Sequence, residues 1–184
     1  MSASLLVKRA LDRAAVWHQG QLRKYPGIAV PYVSHLAGVT IVLARHGFDE
    51  EVIAAGALHD AVEDTSATLA EIAADFGPRV AELVAHASES DRTLSWEERK
   101  AEYLARFPGK PWEAQAITLA DKIDNLQSIL VCSHEHGDPW AQFKRGRDAQ
   151  LARYAELRAA ALRLPAHPLI GEFVDVLAAV EREA

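Results

Sequence analysis

The stretch GALHDAVEDT, residues 56–65, places ionisable side chains directly after an apolar run. His59 and Asp60 come first, and Glu63 and Asp64 follow four positions later. Residues four apart share one side of an α-helix, so both pairs lie on adjoining stripes. An unpaired buried charge is very unfavourable. The histidine and aspartate are therefore either salt-bridged or bound to a cation.

Two other stretches carry side chains of the same kind. AITLADKIDNL places Asp121 after a buried run, with Asp124 and Asn125 on the same face, and PYVSHLAGV places His35 in the first turn of an apolar helix. Two neutral imidazoles and two carboxylates from three helices can bind one divalent ion, and this mixed ligand set suits manganese, iron, cobalt or zinc. The four candidate metal ligands are His35, His59, Asp60 and Asp121.

Each of these features has a simpler interpretation when it is taken alone. A single buried histidine is more often a hydrogen-bonded core residue than a ligand, and Asp121 can pair with Lys122 or Arg99. Acidic residues at the end of a helix are usually solvated, although Glu63 and Asp64 have the wrong sign for the helix dipole there. The joint pattern H…HD…D, with every member on an apolar helix, is much more specific than any one part.

The elements that must position these residues are helical almost throughout. Apolar residues recur at helical spacing, and alternating β-branched runs with hairpin signals are not found. Asp49, Thr68 with Glu71, and Ser95 with Glu98 are helix-capping signals. We expect one helix over residues 50–64, a long buried helix over 112–130, and two C-terminal helices. The sequence predicts an all-α, single compact helical bundle, with residues 1–184 forming one domain.

The composition excludes several function classes. The chain has 184 residues, of which 49% are hydrophobic and 25% charged, with a net charge of −6. This acidic balance disfavours nucleic acid as a partner, and no apolar run is long enough to cross a membrane. The N-terminus lacks the apolar run of a signal peptide. Cys132 is the single cysteine, and we expect it to be a small buried side chain. A cytoplasmic protein is expected.

Four blocks of the sequence resemble the hydrolase domain of RelA/SpoT proteins, a branch of the HD phosphohydrolase superfamily. They are WHQGQLRKYPGIAVPYVSH, AGALHDAVEDT, ADFGPRVAELV and LADKIDNL, and they extend over residues 14–130 in the family's order. The stretch DRTLSWEERKAEYL is more similar to the stand-alone members, the small alarmone hydrolases and the metazoan SpoT homologue. The chain is too short for a second, synthetase domain. The resemblance implies a single HD-domain helical bundle.

The resemblance also implies a role for each matching residue. The four candidate ligands would hold Mn²⁺, and Glu63 and Asp64 would orient and deprotonate water. Glu63 is favoured as the base and Asp64 as the residue that positions water or acts as a general acid, although the sequence does not decide which residue has which role. Asn125 would lie near the metal and the substrate ribose. Basic residues would meet the nucleobase and phosphates; they are Arg23, Lys24, Arg99 and Lys100. Tyr32, Lys144, Arg147 and Tyr154 are further candidates for substrate contacts.

The expected activity is hydrolysis of the 3′ pyrophosphate of guanosine alarmones, (p)ppGpp, to GDP or GTP and pyrophosphate. Three alternatives stay open: an adenosine alarmone (ppApp) substrate, removal of the 2′ phosphate of NADPH, and a non-catalytic nucleotide sensor. The sequence departs from the family pattern at Leu36, at Asp124 and at residues 87–90 (ASES). None of these changes removes a ligand or the acidic pair. Self-association as a homo-oligomer is compatible with the sequence.

Overall fold

The chain folds into packed α-helices in a computed structural model, which describes residues 4–88 and 95–183. The helices are α1 (Ser4–Trp17), α2 (Val33–Arg45), α3 (Glu50–Leu58), α4 (Ala61–Asp64), α5 (Leu69–Phe76), α6 (Pro78–Ala87), α7 (Trp96–Arg106), α8 (Trp112–Glu135), α9 (Gly146–Ala161) and α10 (Pro168–Glu183). Short 3₁₀ turns cover Phe107–Gly109 and Pro139–Gln142. The predicted all-α fold class is confirmed.

Helix α8 is the central element of the packing. It packs against α10, α2, α6 and α3, while α1 covers α3. Its side chains Ile117, Leu119, Ile123 and Leu126 are fully buried, so the helix is apolar on most of its surface. Gly56 allows α3 to approach α2 closely, because a Cβ there would lie 2.4 Å from Leu43 Cδ1. This packing brings α2, α3 and α8 together, the three helices that carry the candidate ligands.

The helix starts follow the capping signals of the sequence. Asp49 accepts hydrogen bonds from backbone N–H groups of α3. Thr68 with Glu71 and Ser95 with Glu98 form complete capping boxes at α5 and α7. Each of these side chains satisfies backbone donors that have no partner within the helix.

The predicted helix over residues 50–64 is wrong in one respect, because it is divided into α3 and α4 by a turn at His59 and Asp60. The imidazole Nδ1 of His59 lies 2.8 Å from the carbonyl oxygen of Gly56. In a continuous helix that carbonyl accepts the backbone N–H of Asp60. The side-chain hydrogen bond competes with helix propagation at this point. The long helix α8 also continues to Glu135, five residues beyond its predicted end at 130.

Among the described residues, no helix combines the length and the apolar character needed to cross a membrane.

Candidate active site

The first candidate ligand, His35, lies in the first turn of α2 and is 2% exposed. Its Nδ1 lies 2.6 Å from Asp124 Oδ2 on α8. An ionised carboxylate only accepts hydrogen bonds, so Nδ1 carries the hydrogen and Nε2 is turned toward the other ligands. His35 Nε2 lies 3.6 Å from Asp60 Oδ2 and 3.4 Å from Asp121 Oδ1. The Asp124 carboxylate therefore fixes the ring orientation of His35.

The second candidate ligand, His59, is held in the same way by a backbone carbonyl. Its Nδ1 donates to Gly56 O, which leaves Nε2 without a hydrogen. That nitrogen is buried and has no hydrogen-bond partner among the described residues. It lies 3.1 Å from Asp60 Oδ2 and 4.0 Å from Asp121 Oδ1. A buried lone pair that faces two carboxylates requires a cation or a proton between them.

The two aspartates complete the cluster from α8 and from the turn before α4. One ligand atom each from His35, His59 and Asp121 lies within 4.8 Å of the others, and Asp60 joins them through its short distances to both imidazoles. Each aspartate also has a donor outside the cluster. Tyr32 donates its hydroxyl to Asp60, and Asp121 accepts hydrogen bonds from Lys122 and Asn125. The structure brings together all four predicted ligands.

The electrostatics of the cluster are dominated by its carboxylates. Burial lowers the pKa of His35, but hydrogen bonds with Asp121, Asp124 and Asp60 outweigh it and raise the pKa to about 10. Burial opposes the ionisation of Asp60, yet the charge of His59 and the hydrogen bond with His35 hold its pKa well below the usual range. Carboxylates that stay ionised beside buried imidazoles create a strong site for positive charge.

These residues fit a divalent metal ion. The donor set of two imidazole nitrogens and two carboxylates is one that transition metals favour. Both imidazoles have the Nδ1 partners that fix metal-binding tautomers, and the unpartnered Nε2 of His59 faces the carboxylates. The fit rests on this geometry and on the chemistry of the donors.

The cluster lies at one wall of a cavity of about 820 Å³. Cationic, aromatic and carboxylate side chains all reach this space. Residues that line it include Arg23, Lys24, Tyr25, Tyr32, Asp60, Asp64, Asp121, Lys122, Asn125, Phe143, Lys144, Arg145 and Tyr154. Cys132 also lines it; as expected, it is a buried side chain, and burial raises the pKa of its thiol. The volume and the mixture of charges suit a phosphorylated small molecule.

The predicted acidic pair is divided between two environments. Asp64 is exposed, lines the cavity, and accepts a hydrogen bond of 2.8 Å from Gln21. Glu63 is half-buried and is not among the described residues that line the cavity. The pKa of Lys110 is lowered to about 8, chiefly by burial; the charges of Arg106 and Lys122 act in the same direction, and the charge of Glu63 opposes them. Glu63 therefore lies within electrostatic range of Lys110.

The predicted substrate-binding residues have different positions. Arg23 extends across α8, where its guanidinium donates to Asn125 Oδ1 at 3.1 Å and Ser128 Oγ at 2.8 Å. Lys24 is exposed, with its Nζ 5.6 Å from the centre of the Phe143 ring. Both line the cavity together with Asn125.

The other predicted basic pair is Arg99 and Lys100. Arg99 is half-buried in α7 and is not among the described residues that line the cavity. The side chain of Lys100 lies outside the described residues. Of the further candidates, Tyr32, Lys144 and Tyr154 line the cavity.

Two contacts of the site, those of Gln21 and Asp124, are not assigned by the sequence reasoning, whereas the pairing of Asp121 with Lys122 is one of its alternatives. Lys122 donates to Asp121 Oδ2 at 2.5 Å, and although burial lowers the pKa of Lys122, the charge of Asp121 raises it above the usual value. Gln21 contacts Asp64, and Asp124 contacts His35. The signal for Gln21 was present in the first block, WHQGQLRK. The contact of Asp124 with His35 depends on how α2 and α8 pack together.

A helical fold with two histidines and two aspartates converging beside a cationic cavity defines a metal-dependent phosphohydrolase. A family model described as "HD domain" matches residues 10–160, a span that contains the predicted motif core of 14–130. The chain belongs to the HD-domain family.

Similar proteins show which members of the HD-domain family this chain resembles. The chain is 37% identical over 136 residues to the guanosine-3′,5′-bis(diphosphate) 3′-pyrophosphohydrolase MESH1 of Xenopus tropicalis, covering 73% of this chain and 75% of that protein. Among solved structures, a metazoan orthologue of SpoT that hydrolyses ppGpp matches with a TM-score of 0.83 and 30% identity, over 97% of both chains. A Listeria monocytogenes EGD-e protein matches with a TM-score of 0.73 and 40% identity, over 79% of this chain and 97% of its own. The predicted resemblance to stand-alone alarmone hydrolases is confirmed.

Proposed function

We propose that this chain is a Mn²⁺-dependent (p)ppGpp 3′-pyrophosphohydrolase that acts in the cytoplasm. The observation that carries the proposal is the convergence of His35, His59, Asp60 and Asp121 at the wall of a cavity that also holds Asp64 and several cations. The similarity to proteins named as guanosine-3′,5′-bis(diphosphate) 3′-pyrophosphohydrolases supports the substrate. Those names do not support the adenosine alarmone and NADPH alternatives.

In the proposed reaction, water attacks the phosphorus attached to the ribose 3′ oxygen. A new oxygen–phosphorus bond forms and the bond between phosphorus and the 3′ oxygen breaks. The 3′ oxygen takes up a proton to become the ribose hydroxyl of GDP or GTP, and pyrophosphate is released. A bound Mn²⁺ would lower the pKa of water and offset charge that develops on phosphoryl oxygens. The two histidines and two aspartates would hold the ion, and the hydrogen bonds that the imidazoles donate to the Asp124 carboxylate and the Gly56 carbonyl would keep both rings aligned.

Other residues of the chain would deprotonate the water, orient it and bind the phosphates. We assign Glu63 as the base that takes the proton of the attacking water, a role typically worth about 10²–10⁴-fold in rate. Asp64, which lines the cavity and is hydrogen-bonded to Gln21, orients that water. Arg23 and Lys24 offset the negative charge of the phosphates.

The cavity also offers surfaces for the rest of the nucleotide. Asn125 lies between Asp121 and Arg23, where it can meet the ribose. Tyr25, Phe143 and Tyr154 give the same cavity aromatic faces for a purine.

The test is a substrate panel with purified protein and added Mn²⁺. We expect ppGpp to yield GDP and pyrophosphate in equal amounts, resolved by anion-exchange chromatography, and ppApp and NADPH to react much more slowly. Faster turnover of ppApp or NADPH would refute the guanosine assignment. Metal-loaded protein that binds ppGpp without cleaving it would be a nucleotide sensor, and this result would refute the proposed enzymatic activity.

Two variants separate metal binding from chemistry. Glu63→Gln should bind Mn²⁺ normally and lose about 10²–10⁴-fold in turnover, whereas Glu82→Gln, on the exposed surface of α6, is the matched control. His59→Ala should lose Mn²⁺ affinity, and with it the thermal stabilisation that a ligand of the folded state confers. The exposed His134→Ala is its control. A fully active Glu63→Gln protein would refute the assignment of the base.

A further inference from the structure

His18 occupies an unusual position directly after α1. It is 4% exposed, and its Nδ1 lies 2.7 Å from Gln21 Oε1. Gln21 Nε2 in turn donates to Asp64 Oδ2 at 2.8 Å. Three side chains thus form one hydrogen-bonded line from the buried end of α1 to the cavity, and the line ends at Asp64. Neither His18 nor Gln21 is among the predicted site residues.

The ionised carboxylate of Asp64 determines which group donates in each hydrogen bond of this line. An ionised carboxylate only accepts, so the amide group of Gln21 must turn its NH₂ toward Asp64. The carbonyl Oε1 of Gln21 then faces His18 and needs a donor, which requires the hydrogen of the imidazole to be on Nδ1. His18 therefore fixes the amide orientation in which Gln21 can hold Asp64. A flipped amide would place two acceptors against each other at Asp64 and two donors against each other at His18.

The backbone holds Gln21 rigidly in this position. Its N–H donates to His18 O at 3.0 Å, and its carbonyl accepts the N–H of Tyr32 at 2.9 Å. The neighbouring pair Leu22 and Pro31 forms an isolated antiparallel bridge. The loop between α1 and α2 is thus closed at its base, with Gln21 and Tyr32 side by side.

The ring of His18 makes a second contact with the site through Tyr32. The two rings are stacked, with centroids 5.1 Å apart and planes inclined by 25°. Tyr32 donates its hydroxyl to Asp60 Oδ2, one of the candidate metal ligands. One imidazole therefore supports a carboxylate of the acidic pair and a carboxylate of the metal cluster.

The burial of His18 has a cost that a structural role does not explain. Its Nε2 is buried and has no hydrogen-bond partner among the described residues. An apolar ring of the same size would fill this place and stack on Tyr32 without an unpaired nitrogen. What an apolar ring could not do is donate to Gln21. The polar contact, rather than the packing, distinguishes histidine at this position.

We propose that His18 and Gln21 are positioning residues, which together hold the Asp64 carboxylate in the orientation needed for water attack, while the ring of His18 supports Tyr32 against Asp60. The inference rests on the proposed hydrolase function, because it assigns Asp64 an orienting role. It concerns the alignment of a carboxylate, so it affects turnover more than substrate binding.

The first test is a double-mutant cycle with ppGpp and saturating Mn²⁺. We expect Gln21→Leu to lower kcat by about 10- to 100-fold, with KM and Mn²⁺ affinity within about threefold of wild type. In an Asp64→Ala background, Gln21→Leu should cause no further loss, because the carboxylate that Gln21 donates to has already been removed. Gln19→Leu, at an exposed position two residues earlier, is the matched control. An unchanged kcat in Gln21→Leu, or fully additive losses, would overturn the proposal.

The second test separates the two contacts of His18. His18→Phe keeps an aromatic ring against Tyr32 but loses the donor, and it should lower kcat as much as Gln21→Leu does. His18→Asn places an amide donor near the position of Nδ1 and should retain most of the turnover. Wild-type turnover in His18→Phe would show that the hydrogen bond from His18 to Gln21 is not needed for catalysis, and would contradict the proposal.

The third test does not depend on activity. Long-range ¹H–¹⁵N correlation spectra of the wild-type protein should show His18 as the Nδ1–H tautomer, and Gln21→Leu should remove that preference. The Nε2–H tautomer in wild type would overturn the proposal even if the enzyme is active. Conversely, the absence of any hydrolysis by the wild type would refute the proposed function and leave this spectroscopic result standing.

Discussion

We expect Gly38→Ala to weaken Mn²⁺ binding, although the substitution changes none of the four candidate ligands. Gly38 lies on α2 one turn after His35 and faces Asp124 on α8. A Cβ at position 38 would lie 1.7 Å from Asp124 Oδ1, whereas ordinary contacts of a Cβ begin near 3.4 Å. The carboxylate must therefore retreat from α2 by more than an ångström. Because His35 and Gly38 are on the same face of α2, this retreat breaks the 2.6 Å hydrogen bond to His35 Nδ1.

The size of the effect follows from the role of such partners. Loss of the hydrogen bond that orients a metal-binding histidine typically costs about 10- to 100-fold in metal affinity, or about 1.4–2.7 kcal/mol. Isothermal titration calorimetry of the metal-stripped protein with Mn²⁺ measures it directly. Asp124→Ala should show a loss of similar size through removal of the carboxylate itself.

Gly171→Ala is the matched control for this substitution. Gly171 also lies within a helix, α10, but a Cβ there would meet nothing within 4 Å. We expect it to bind Mn²⁺ like the wild type and to gain a little stability from its higher helix propensity. Wild-type Mn²⁺ affinity in both Gly38→Ala and Asp124→Ala would refute the idea that Asp124 orients His35.

Two further predictions concern stability and pH. Asp49→Ala should lower the free energy of unfolding by about 1 kcal/mol at pH 7, through loss of the α3 cap. Although burial opposes its ionisation, hydrogen bonds from Val52 and Arg79 lower the pKa of Asp49. Its contribution is therefore present above pH 4 and fades as the pH falls through the folded-state pKa, which urea titrations at pH 7 and pH 3 would check; an equal difference at both would contradict it. Lys110→Met should raise the free energy of unfolding at pH 7 by about 1–3 kcal/mol, because the buried ammonium has no hydrogen-bond partner among the described residues and burial lowers its pKa to about 8. In the wild type, the cost of burying the charged Lys110 side chain is complete below pH 8 and disappears as the pH rises toward 10.5. The stability gained by Lys110→Met should therefore shrink at pH 10, and a variant less stable than the wild type at pH 7 would contradict this.

The local elements of the fold are predictable where one side chain determines them. Asp49, Thr68 and Ser95 satisfy backbone groups within three residues of themselves, so the sequence is sufficient to locate these helix starts. The break between α3 and α4 was not predictable in this way. No proline or glycine lies between Leu58 and Ala61, and the competing donor is a histidine whose ring is fixed by the packing of the site.

The same distinction separates the residues of the site that could be predicted from the sequence from those that could not. The four candidate ligands could be recognised because ionisable residues on apolar helices need partners. The role of Asp124 in orienting His35 could not, since this contact joins two helices that are distant in the sequence. Asp124 reaches His35 only because Gly38 leaves room for its carboxylate. The assignment of Arg99 to substrate binding stays a prediction, because Arg99 is not among the described residues that line the cavity.

The central claim is that the histidine–aspartate cluster is a metal centre on which hydrolysis depends. The most direct measurement is the initial rate of ppGpp hydrolysis by metal-stripped protein as Mn²⁺ is added, with free Mn²⁺ followed by electron paramagnetic resonance in the same samples. We expect the rate to rise in proportion to bound Mn²⁺ and to level off at one ion per chain. Full turnover in the stripped protein, or one bound ion per chain without turnover, would contradict the claim.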